Sequence, residues 1–449
     1  MAALPETSLP LAQWAAGLRW EDIPEAVRHE AKRSLVNFFG TALAGCNDPA
    51  LRAAGRVFSQ FSSAASCTVI GRADRTDPLH AASLNAMSGN VFDFDDTHLP
   101  TILHPTAPVA PPLFALAQTR PVHGRDLLLA FVLGVEVESR IANAVSPFHY
   151  QRGWHITSTC GVFGAAAACG RVLGLDPGRM LWALGNASAQ SSGLVETLGS
   201  MAKSIGVGNA ASNGLLSALL AQDGFEGPAL PLEGTRGFLR VMGDAVDAAP
   251  ITHGLGERWE LMNNTYKPYP CGVVLNPVIE ACLALHADGV NVSSIERVEL
   301  TGHPLLRQRT DRAQPRSGRE AQVSAHHAVA VALATGRAGL DEFSDASLGH
   351  PIATAMASRL VFVDDEHYPV EAATVTLHLR DGRRLARHVQ AARGSLASPL
   401  ADADIEQKLR TLCAWGGSGC APEPLIDALW TLDQRDDAGS LMALAAAPH

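Results

Sequence analysis

The spacing of apolar residues changes along this chain, and that change limits the folds it can adopt. Up to about residue 239, apolar side chains recur every three or four positions, as at Val27, Ala31, Leu35 and Phe38, which predicts amphipathic helices. From about residue 257, runs such as 373–379 alternate apolar and polar residues, and an Asp-Gly pair at 381–382 predicts a hairpin turn. Helical spacing returns at 404–415.

This succession predicts a mainly α protein with a smaller α+β domain. We expect a large helical domain over residues 1–256, an inserted α+β lid domain over 257–395, and C-terminal helices over 396–449 that return to the helical domain. The length of 449 residues, with 47% apolar residues, is sufficient for at least two hydrophobic cores.

The charge balance and the cysteine pattern argue against several classes of protein. With 35 Lys and Arg against 45 Asp and Glu, the formal net charge is −10, which disfavours nucleic acid or an anionic membrane as the main partner. The eight cysteines include no C-x-x-C pair, so we expect reduced thiols and no zinc or iron–sulfur site. The first residues lack the basic region and apolar stretch of a signal peptide, and we expect a cytoplasmic protein without membrane spans.

Lysine is rare in this sequence, and two of the four lysines stand out. Lys32 and Lys408 lie in charged helical segments, where a solvated helix face explains them. Lys203 is the only charged residue between positions 196 and 223, and Lys267 lies in a segment that two prolines make rigid. Each of these two lysines either binds an anion, because a buried ammonium is costly without one, or is a surface residue with a partly buried stem.

A cluster of carboxylates and imidazoles lies between residues 93 and 104. It contains Asp93, Asp95, Asp96, His98 and His104. The interactions of such groups shift their pKa values, which suits an acid–base site. A divalent metal site and a simple capped turn remain open, although the spacing matches neither an EF-hand loop nor the H-E-x-x-H motif.

Other candidate residues are weaker on their own. His155 precedes a Gly- and Ala-rich helix whose N-terminus suits a carboxylate, although a hydrogen-bonded core histidine explains it equally well. At most one residue of the pair His326 and His327 can face a site, because adjacent residues of a helix point in different directions. Cys271 lies near Lys267, and a structural cysteine is the simpler interpretation than an activated thiol.

Together these segments resemble the MmgE/PrpD family, which includes 2-methylcitrate dehydratase, cis-aconitate decarboxylase and iminodisuccinate epimerase. The residues that carry the resemblance are the cluster at 93–98, His104 with Pro105, the Gly-Trp-His string at 153–155, Lys203 before a Gly- and Ala-rich segment, and the Lys-Pro-Tyr-Pro-Cys-Gly string at 267–272. The resemblance covers most of the chain. It implies a large helical domain, a smaller α/β domain, an active site between them, a homodimer, and no metal or other cofactor.

The resemblance and the residue types together predict a set of site residues. The catalytic residues are expected to be His104, His155, Lys267 and Asp93. Substrate-binding residues are expected to be Lys203, Thr97, His98, Cys271, Gly272 and His327. Three positions depart from the family pattern: Asn276 stands where related sequences often have His, His327 where decarboxylases and dehydratases tend to have Tyr, and Asn37 where Asp is common.

The predicted function is a cofactor-independent enzyme that removes a proton α to a carboxylate of a small di- or tricarboxylate. Lysines would bind carboxylates, imidazoles would exchange protons, and Asp93 would orient one imidazole. Dehydration, decarboxylation and epimerisation share this step, and the string at 267–272 with His327 is most similar to the epimerase branch. The alternatives are a helical protein that binds an organic acid without converting it, and a metal-dependent lyase that uses the acidic cluster at 93–96.

Overall fold

The computed structural model describes residues 4–62, 64–349 and 359–448. Residues 1–3, 63, 350–358 and 449, which fall within the three expected domains, lie outside the described residues. In chain order, the helices are α1 Ser8–Gly17, α2 Glu25–Gly45, α3 Pro49–Phe58, α4 Pro78–Asn90, α5 Thr106–Ala117, α6 Gly124–Val145, α7 Phe148–Gln151, α8 Ile156–Val172, α9 Pro177–Ser188, α10 Ala202–Gln222, α11 Phe238–Met242, α12 Ala249–Thr252, α13 Asn276–Ala287, α14 Pro304–Thr310, α15 Gly318–Ala321, α16 Ala325–Thr335, α17 Asp402–Gly416 and α18 Pro422–Trp430.

The strands form one four-stranded sheet and two short pairs. They are β1 Cys67–Thr68, β2 Arg75–Thr76, β3 Asp96–His98, β4 Asn264–Tyr266, β5 Ile295–Gly302, β6 Leu360–Asp364, β7 Ala373–Leu379 and β8 Arg384–Val389. The four-stranded sheet has the order β6-β5-β7-β8, in which only the β5–β6 pair is parallel. Helices α13 and α16 pack beside this sheet in one apolar core. This architecture confirms the mainly α fold with a smaller α/β part.

Small residues allow the central helices of the larger, helical part to pack closely. Most of α6 is buried, and α8 crosses it so closely that a Cβ atom on Gly164 would lie 2.7 Å from the carbonyl oxygen of Gly134. Helix α10 packs on α8 in the same way, because a Cβ atom on Gly214 would lie 2.3 Å from the Cβ atom of Ala165. Close backbone approach of this kind requires glycine.

The hydrophobic core of the helical part includes residues from both ends of the chain. Leu409 of α17 lies so close to α2 that a Cβ atom on Gly40 would be 3.0 Å from its Cα atom. Residues 425–445 supply further side chains to the same core. We therefore propose that the chain consists of a helical domain, an inserted domain and a C-terminal segment that returns to the helical domain.

A short strand pair connects the helical part to the smaller α/β part, next to the candidate active site. Strand β3 follows α4 and pairs with β4, with Asp96 opposite Tyr266 and His98 opposite Asn264. This pairing places Lys267, the residue after β4, beside the loop at 91–95. Within the described ranges, no helix is both long enough and apolar enough to cross a membrane.

Candidate active site

A cavity of about 380 Å³ lies where the helical part meets the smaller α/β part. Its walls come from the loop after α4, the beginnings of α8 and α10, the segment after β4, and α14 with α15. The lining residues are Val91, Asp93, Thr97, Ile102, His104, Tyr150, Gln151, His155, Val195, Leu198, Gly199, Ser200, Lys203, Lys267, Gly272, Val273, Val274, Leu305, Gln308, Arg309, Thr310, Arg312, Arg319, Gln322 and Val323.

Asp93 lies at the floor of this cavity between two lysines. Its backbone has a φ of 52°, a left-handed conformation that is uncommon for a residue other than glycine. The carboxylate accepts a hydrogen bond of 2.6 Å at Oδ1 from Nζ of Lys203, and its Oδ2 lies 3.2 Å from Nζ of Lys267. The Lys267 ammonium also donates to the backbone carbonyl of Asp93 at 2.9 Å. One aspartate therefore holds two ammonium groups at the cavity.

The two lysines keep Asp93 ionised despite its burial. Burial opposes ionisation of this carboxyl, but the neighbouring Lys203 and Lys267 hold its pKa well below the usual value. Burial likewise disfavours the ammonium of Lys203, whereas Asp93 raises the pKa of that lysine above its usual value. Both lysine side chains are almost completely buried, so the ion pairs are shielded from water.

His104 is held as a neutral imidazole with one nitrogen free for proton transfer. Its Nδ1 lies 2.8 Å from the backbone carbonyl oxygen of Asp96, so we assign the proton to Nδ1. The opposite nitrogen, Nε2, is 3.6 Å from Oδ1 of Asp93, which is beyond a good hydrogen bond. Burial lowers the pKa of His104, and the charge of Lys267 adds to this effect, although Asp95 and Asp93 oppose it. An unprotonated Nε2 beside the cavity suits a general base.

His155 lies directly before α8 and is also neutral. Its backbone N–H donates to the carbonyl oxygen of Gly193 at 3.0 Å, and its Nδ1 is 2.7 Å from Oγ of Ser158. Burial, together with the charge of Lys203, lowers the pKa of His155 to about 3. A second neutral imidazole therefore lines the cavity that contains His104.

The structure brings most of the residues predicted from sequence to this one cavity. Asp93, His104, His155 and Lys267, the four predicted catalytic residues, all line it, and so do Lys203, Thr97 and Gly272. Asp93 and His104 of the acidic cluster, the two unusual lysines and the histidine before α8 thus share a single space.

Three of the predicted substrate-binding residues lie elsewhere in the described structure. Both ring nitrogens of His98 are engaged, with Oγ1 of Thr101 at 2.8 Å and Oε2 of Glu260 at 3.2 Å. The side chain of His98 is buried and does not line the cavity. Its position supports a structural role in holding β3 against the Glu260 segment.

Cys271 and His327 also lie outside the cavity walls that the described residues form. Sγ of Cys271 is 3.6 Å from Oδ1 of Asn276, and burial raises the pKa of this thiol far above its usual value. Nε2 of His327 lies 2.7 Å from the carbonyl oxygen of Glu342, and its ring packs on Phe343. Neither side chain is therefore placed to contact a ligand in the cavity directly.

Sequence reasoning did not identify the part of the site that comes from α14, α15 and the segment between them. Arg309, Arg312 and Arg319 line the cavity, together with Tyr150 of α7. The sequence feature that could have identified this part is the local density of arginine, because five arginines occur between positions 307 and 319. Such a density of arginine in a chain of net charge −10 indicates an anion-binding segment.

The expectation for Lys408 was wrong. Its ammonium is buried behind the site rather than solvated, and it donates at 2.8 Å to three acceptors, Oδ1 of Asn37 and the backbone carbonyls of Phe94 and Lys267. Nζ also lies 3.9 Å from the centroid of the Phe94 ring. Lys408 therefore connects α17 to the backbone on both sides of the Asp93–Lys267 pair.

Lys32 also differs from its expected position on a solvated helix face. Its side chain is only 14% exposed, and its Nζ donates to Oδ1 of Asp433 at 2.6 Å. This ion pair connects α2 to the C-terminal segment.

The acidic cluster has the geometry of a possible metal site but the wrong electrostatic surroundings. Potential ligand atoms of Asp93, Asp95 and His104 lie within 4.8 Å of one another. The carboxylate of Asp93, however, already faces the ammonium groups of Lys203 and Lys267, which would repel a cation. The residues therefore fit an anion better than a divalent metal.

The cavity is positively charged within an acidic molecule. Among the described residues that line it, Lys203, Lys267, Arg309, Arg312 and Arg319 are cationic, and Asp93 is the one carboxylate. A partly enclosed cavity with this excess of positive charge attracts small polyanions.

Comparison with known proteins gives matches over nearly the whole chain. The MmgE/PrpD N-terminal domain matches residues 10–250, and the MmgE/PrpD C-terminal domain matches residues 269–432. Cis-aconitate decarboxylase of Aspergillus terreus is 28% identical over 98% of this chain and 95% of its own length. The cis-aconitate decarboxylase of Homo sapiens is 26% identical over 96% of this chain and 93% of its own length, and that of Mus musculus is 25% identical over 96% and 92%.

Proposed function

The chain belongs to the MmgE/PrpD family, and on that premise we propose that it is an enzyme that transfers a proton at a carbon atom α to a carboxylate of a small di- or tricarboxylate. It would do so without a metal or an organic cofactor. The observation that carries the proposal is the placement of His104, with an unprotonated Nε2, beside the Lys203–Asp93–Lys267 group in one cationic cavity.

The lysines supply both binding and stabilisation of charge. Lys203 and Lys267 would hold substrate carboxylates, and the carboxylate next to the reacting carbon gains negative charge when the proton leaves. Ammonium groups that are already fixed by Asp93 stabilise that charge without reorganisation, and their effect is large because both lysine side chains are almost completely buried. Asp93 would keep the two ammonium groups apart and in place.

The imidazoles supply the proton transfer. Nε2 of His104 would take the proton from carbon, and the imidazolium so formed would be stabilised by Asp93 and Asp95. His155 offers a second proton-exchanging group in the same cavity. Water loss and epimerisation begin with this removal of a proton. Loss of carbon dioxide instead leaves the electron pair on carbon directly, and the proton that then returns to carbon would come from an imidazole that has first taken it from solvent.

Among these reactions we favour a lyase reaction, and we take cis-aconitate as the first substrate to test. Support comes from the relatives, since the matching proteins of Aspergillus terreus and Homo sapiens are named cis-aconitate decarboxylase. Epimerisation, towards which the segment at 267–272 pointed, becomes the second candidate.

Proton NMR in deuterium oxide tests the proposal directly. The panel contains cis- and trans-aconitate, methylcitrate, and hydroxylated and aminated succinates. We expect the protein to convert one of them, with deuterium entering the carbon next to a carboxylate. His104→Ala should reduce the rate by about a hundredfold or more, whereas His367→Ala, at a site whose side chain is 98% exposed, should not. Conversion by His104→Ala at a near-normal rate would refute the assignment.

The alternative functions give different results in the same experiment. A non-catalytic acid-binding protein would be stabilised by a ligand against heat but would show no deuterium incorporation. A metal-dependent lyase would lose activity with a chelator and regain it with a divalent cation. Activity that persists in the chelator supports the metal-free mechanism.

The proposal includes a cytoplasmic homodimer that works without nucleic acid or membrane. Its support is the family resemblance and the sequence composition. Sedimentation of the purified protein at micromolar concentration tests the dimer.

A further inference from the structure

Arg309 differs from Lys203, Lys267 and Arg319, the cationic residues of the cavity that are paired with carboxylates. It lies near the end of α14, and the centre of its guanidinium group is 4.6 Å from the centroid of the Tyr150 ring. Helix α14 belongs to the smaller part and α7, which carries Tyr150, to the helical part, so this contact bridges the cavity wall. Within residues 4–62, 64–349 and 359–448, no hydrogen bond or ion pair joins the Arg309 side chain to a carboxylate.

Three of the four neighbouring cations are already matched by acidic partners, and the fourth, Arg312, is exposed to solvent. The Arg319 guanidinium donates to Oδ1 of Asp48 and to the backbone carbonyl of Val91. Lys203 and Lys267 share Asp93. Arg309 is therefore a half-buried cavity cation whose side chain forms no ion pair with a carboxylate of the described residues.

A partly buried guanidinium without a directly paired anion is energetically unfavourable. Burial lowers the pKa of Arg309, which shows that its surroundings disfavour the charge, although Tyr150 and Asp93 oppose the effect. The aromatic face of Tyr150 orients the guanidinium plane but does not neutralise it. An anionic group of a bound ligand would complete this arrangement.

We propose that Arg309, oriented by Tyr150, binds the substrate carboxylate that is remote from the reacting carbon, and that the site therefore selects tricarboxylates over dicarboxylates. This inference rests on the proposed function and specifies its substrate class. Lys203 and Lys267 hold the reacting end beside His104, while Arg309 contributes a separate cationic group from α14. A planar guanidinium forms two parallel hydrogen bonds with a carboxylate, which gives it selectivity for that group.

Selectivity follows because a ligand with one carboxylate fewer leaves one cationic group of the cavity without an anion. A dicarboxylate that satisfies the lysines leaves the half-buried Arg309 without a paired anion. A tricarboxylate satisfies both groups at once. Tyr150 acts as a positioning residue, because it touches Arg309 rather than the carboxylate in this arrangement.

Binding of two unreactive acids tests the inference without requiring turnover. Propane-1,2,3-tricarboxylate and pentanedioate have carbon chains of similar length and differ by one carboxylate. Titration calorimetry should show that the wild-type protein binds the tricarboxylate at least about tenfold more tightly. Arg309→Met should weaken tricarboxylate binding by about ten- to a hundredfold and pentanedioate binding by less than about threefold.

Two further variants make the test specific. Arg307→Met lies on the same helix, but Arg307 is half exposed and paired with Asp364, so this control should retain the wild-type preference. Arg309→Lys keeps a charge without the planar pair of donors, and we expect it to retain only part of the preference. If Arg309→Met does not fold, as judged by circular dichroism, Arg309→Lys carries the test.

The outcomes separate this inference from the proposed function. It is overturned if wild-type protein binds both acids equally or fails to bind the tricarboxylate. It is also overturned if Arg309→Met, or Arg309→Lys where the methionine variant does not fold, retains the full preference or weakens both acids to the same extent. If the preference depends on Arg309 but no compound reacts in the NMR screen, the inference stands and the proposed enzymatic activity fails.

Discussion

At the scale of single residues, the site depends on the left-handed backbone of Asp93. With φ at 52°, the residue directs both its carbonyl oxygen and its carboxylate towards Nζ of Lys267, while the other carboxylate oxygen meets Lys203. One residue thus sets the separation of two ammonium groups and the electrostatic surroundings of His104.

Asp93→Asn should lower kcat strongly and move the pH dependence of kcat/KM. The wild-type acid limb reflects protonation of His104, whose pKa is lowered, so this limb should lie at lower pH than that of an ordinary imidazole. Asp93 raises the pKa of His104, and its neutralisation should therefore move this limb to still lower pH. A pH–rate profile of both proteins tests the sign, and a limb that moves upward would contradict the proposed electrostatic role.

Lys408→Met should destabilise the protein more than the same change at Lys32. The variant leaves Asn37 and the carbonyls of Phe94 and Lys267 without their donor, which we expect to cost about 3 kcal/mol in the free energy of unfolding. Lys32→Met removes one ion pair near the surface and should cost about 1 kcal/mol or less. Urea denaturation measures both, and equal losses would argue against the anchoring role of Lys408.

The residues also show where sequence reasoning reaches its limit. Lys203 and Lys267 were recognisable because uncharged neighbours or prolines surround them in sequence. Lys408 was not, because its local pattern is that of an ordinary charged helix and its partner Asn37 lies 371 positions away. Arg309 was missed for the same reason, since only the folded chain places it against Tyr150.

At the scale of elements, two helices bring functional groups to the cavity through tight packing. Helix α8 follows His155, α10 has Lys203 in its first turn, and the two helices meet at small residues. The spacing between these helices therefore sets the spacing between the two side chains.

Gly214→Ala should destabilise the protein by about 1–3 kcal/mol. Its new Cβ atom would lie 2.3 Å from the Cβ atom of Ala165 and 2.9 Å from backbone atoms of α8, so the helices must separate. Gly55→Ala on α3 is the matched control, because nothing lies within 4 Å of its new Cβ atom. That change should stabilise the helix by up to about 1 kcal/mol. Thermal unfolding of both variants checks the opposite signs.

Elements with a clear local pattern were predictable, and short ones were not. The alternating run at 373–379 coincides with β7, and the Asp-Gly turn joins β7 to β8. The three-residue strands β3 and β4 are too short for a period, and their pairing joins residues 168 positions apart. The pattern could not reveal this pairing, although it brings Lys267 to Asp93.

At the scale of the whole molecule, the cavity depends on how the smaller part sits on the helical part. Arg319 of α15 bridges them, because its guanidinium donates to Asp48 at the start of α3 and to the carbonyl of Val91. This link lies at the edge of the cavity, two residues from Asp93 along the chain.

Arg319→Met should weaken ligand binding more than it affects folding. The variant removes one positive charge from the cavity and loosens the contact between the two parts. We expect the Kd for propane-1,2,3-tricarboxylate to rise by about tenfold. Arg316→Met, at a side chain that is 88% exposed, should leave the Kd unchanged. Calorimetric titration of both variants measures the difference, and an unchanged Kd for Arg319→Met would contradict the bridging role.

The close contact of α17 with α2 has a consequence for how the protein is made. Leu409 fits against Gly40, and residues 425–445 fill the same core, yet the ribosome synthesises these segments after the four-stranded sheet. Until they emerge, the nascent helical part exposes the apolar surface that they later cover. We therefore expect the core of the helical part to close only after these segments have been synthesised, and chaperones that bind exposed apolar surface to have access to it before then.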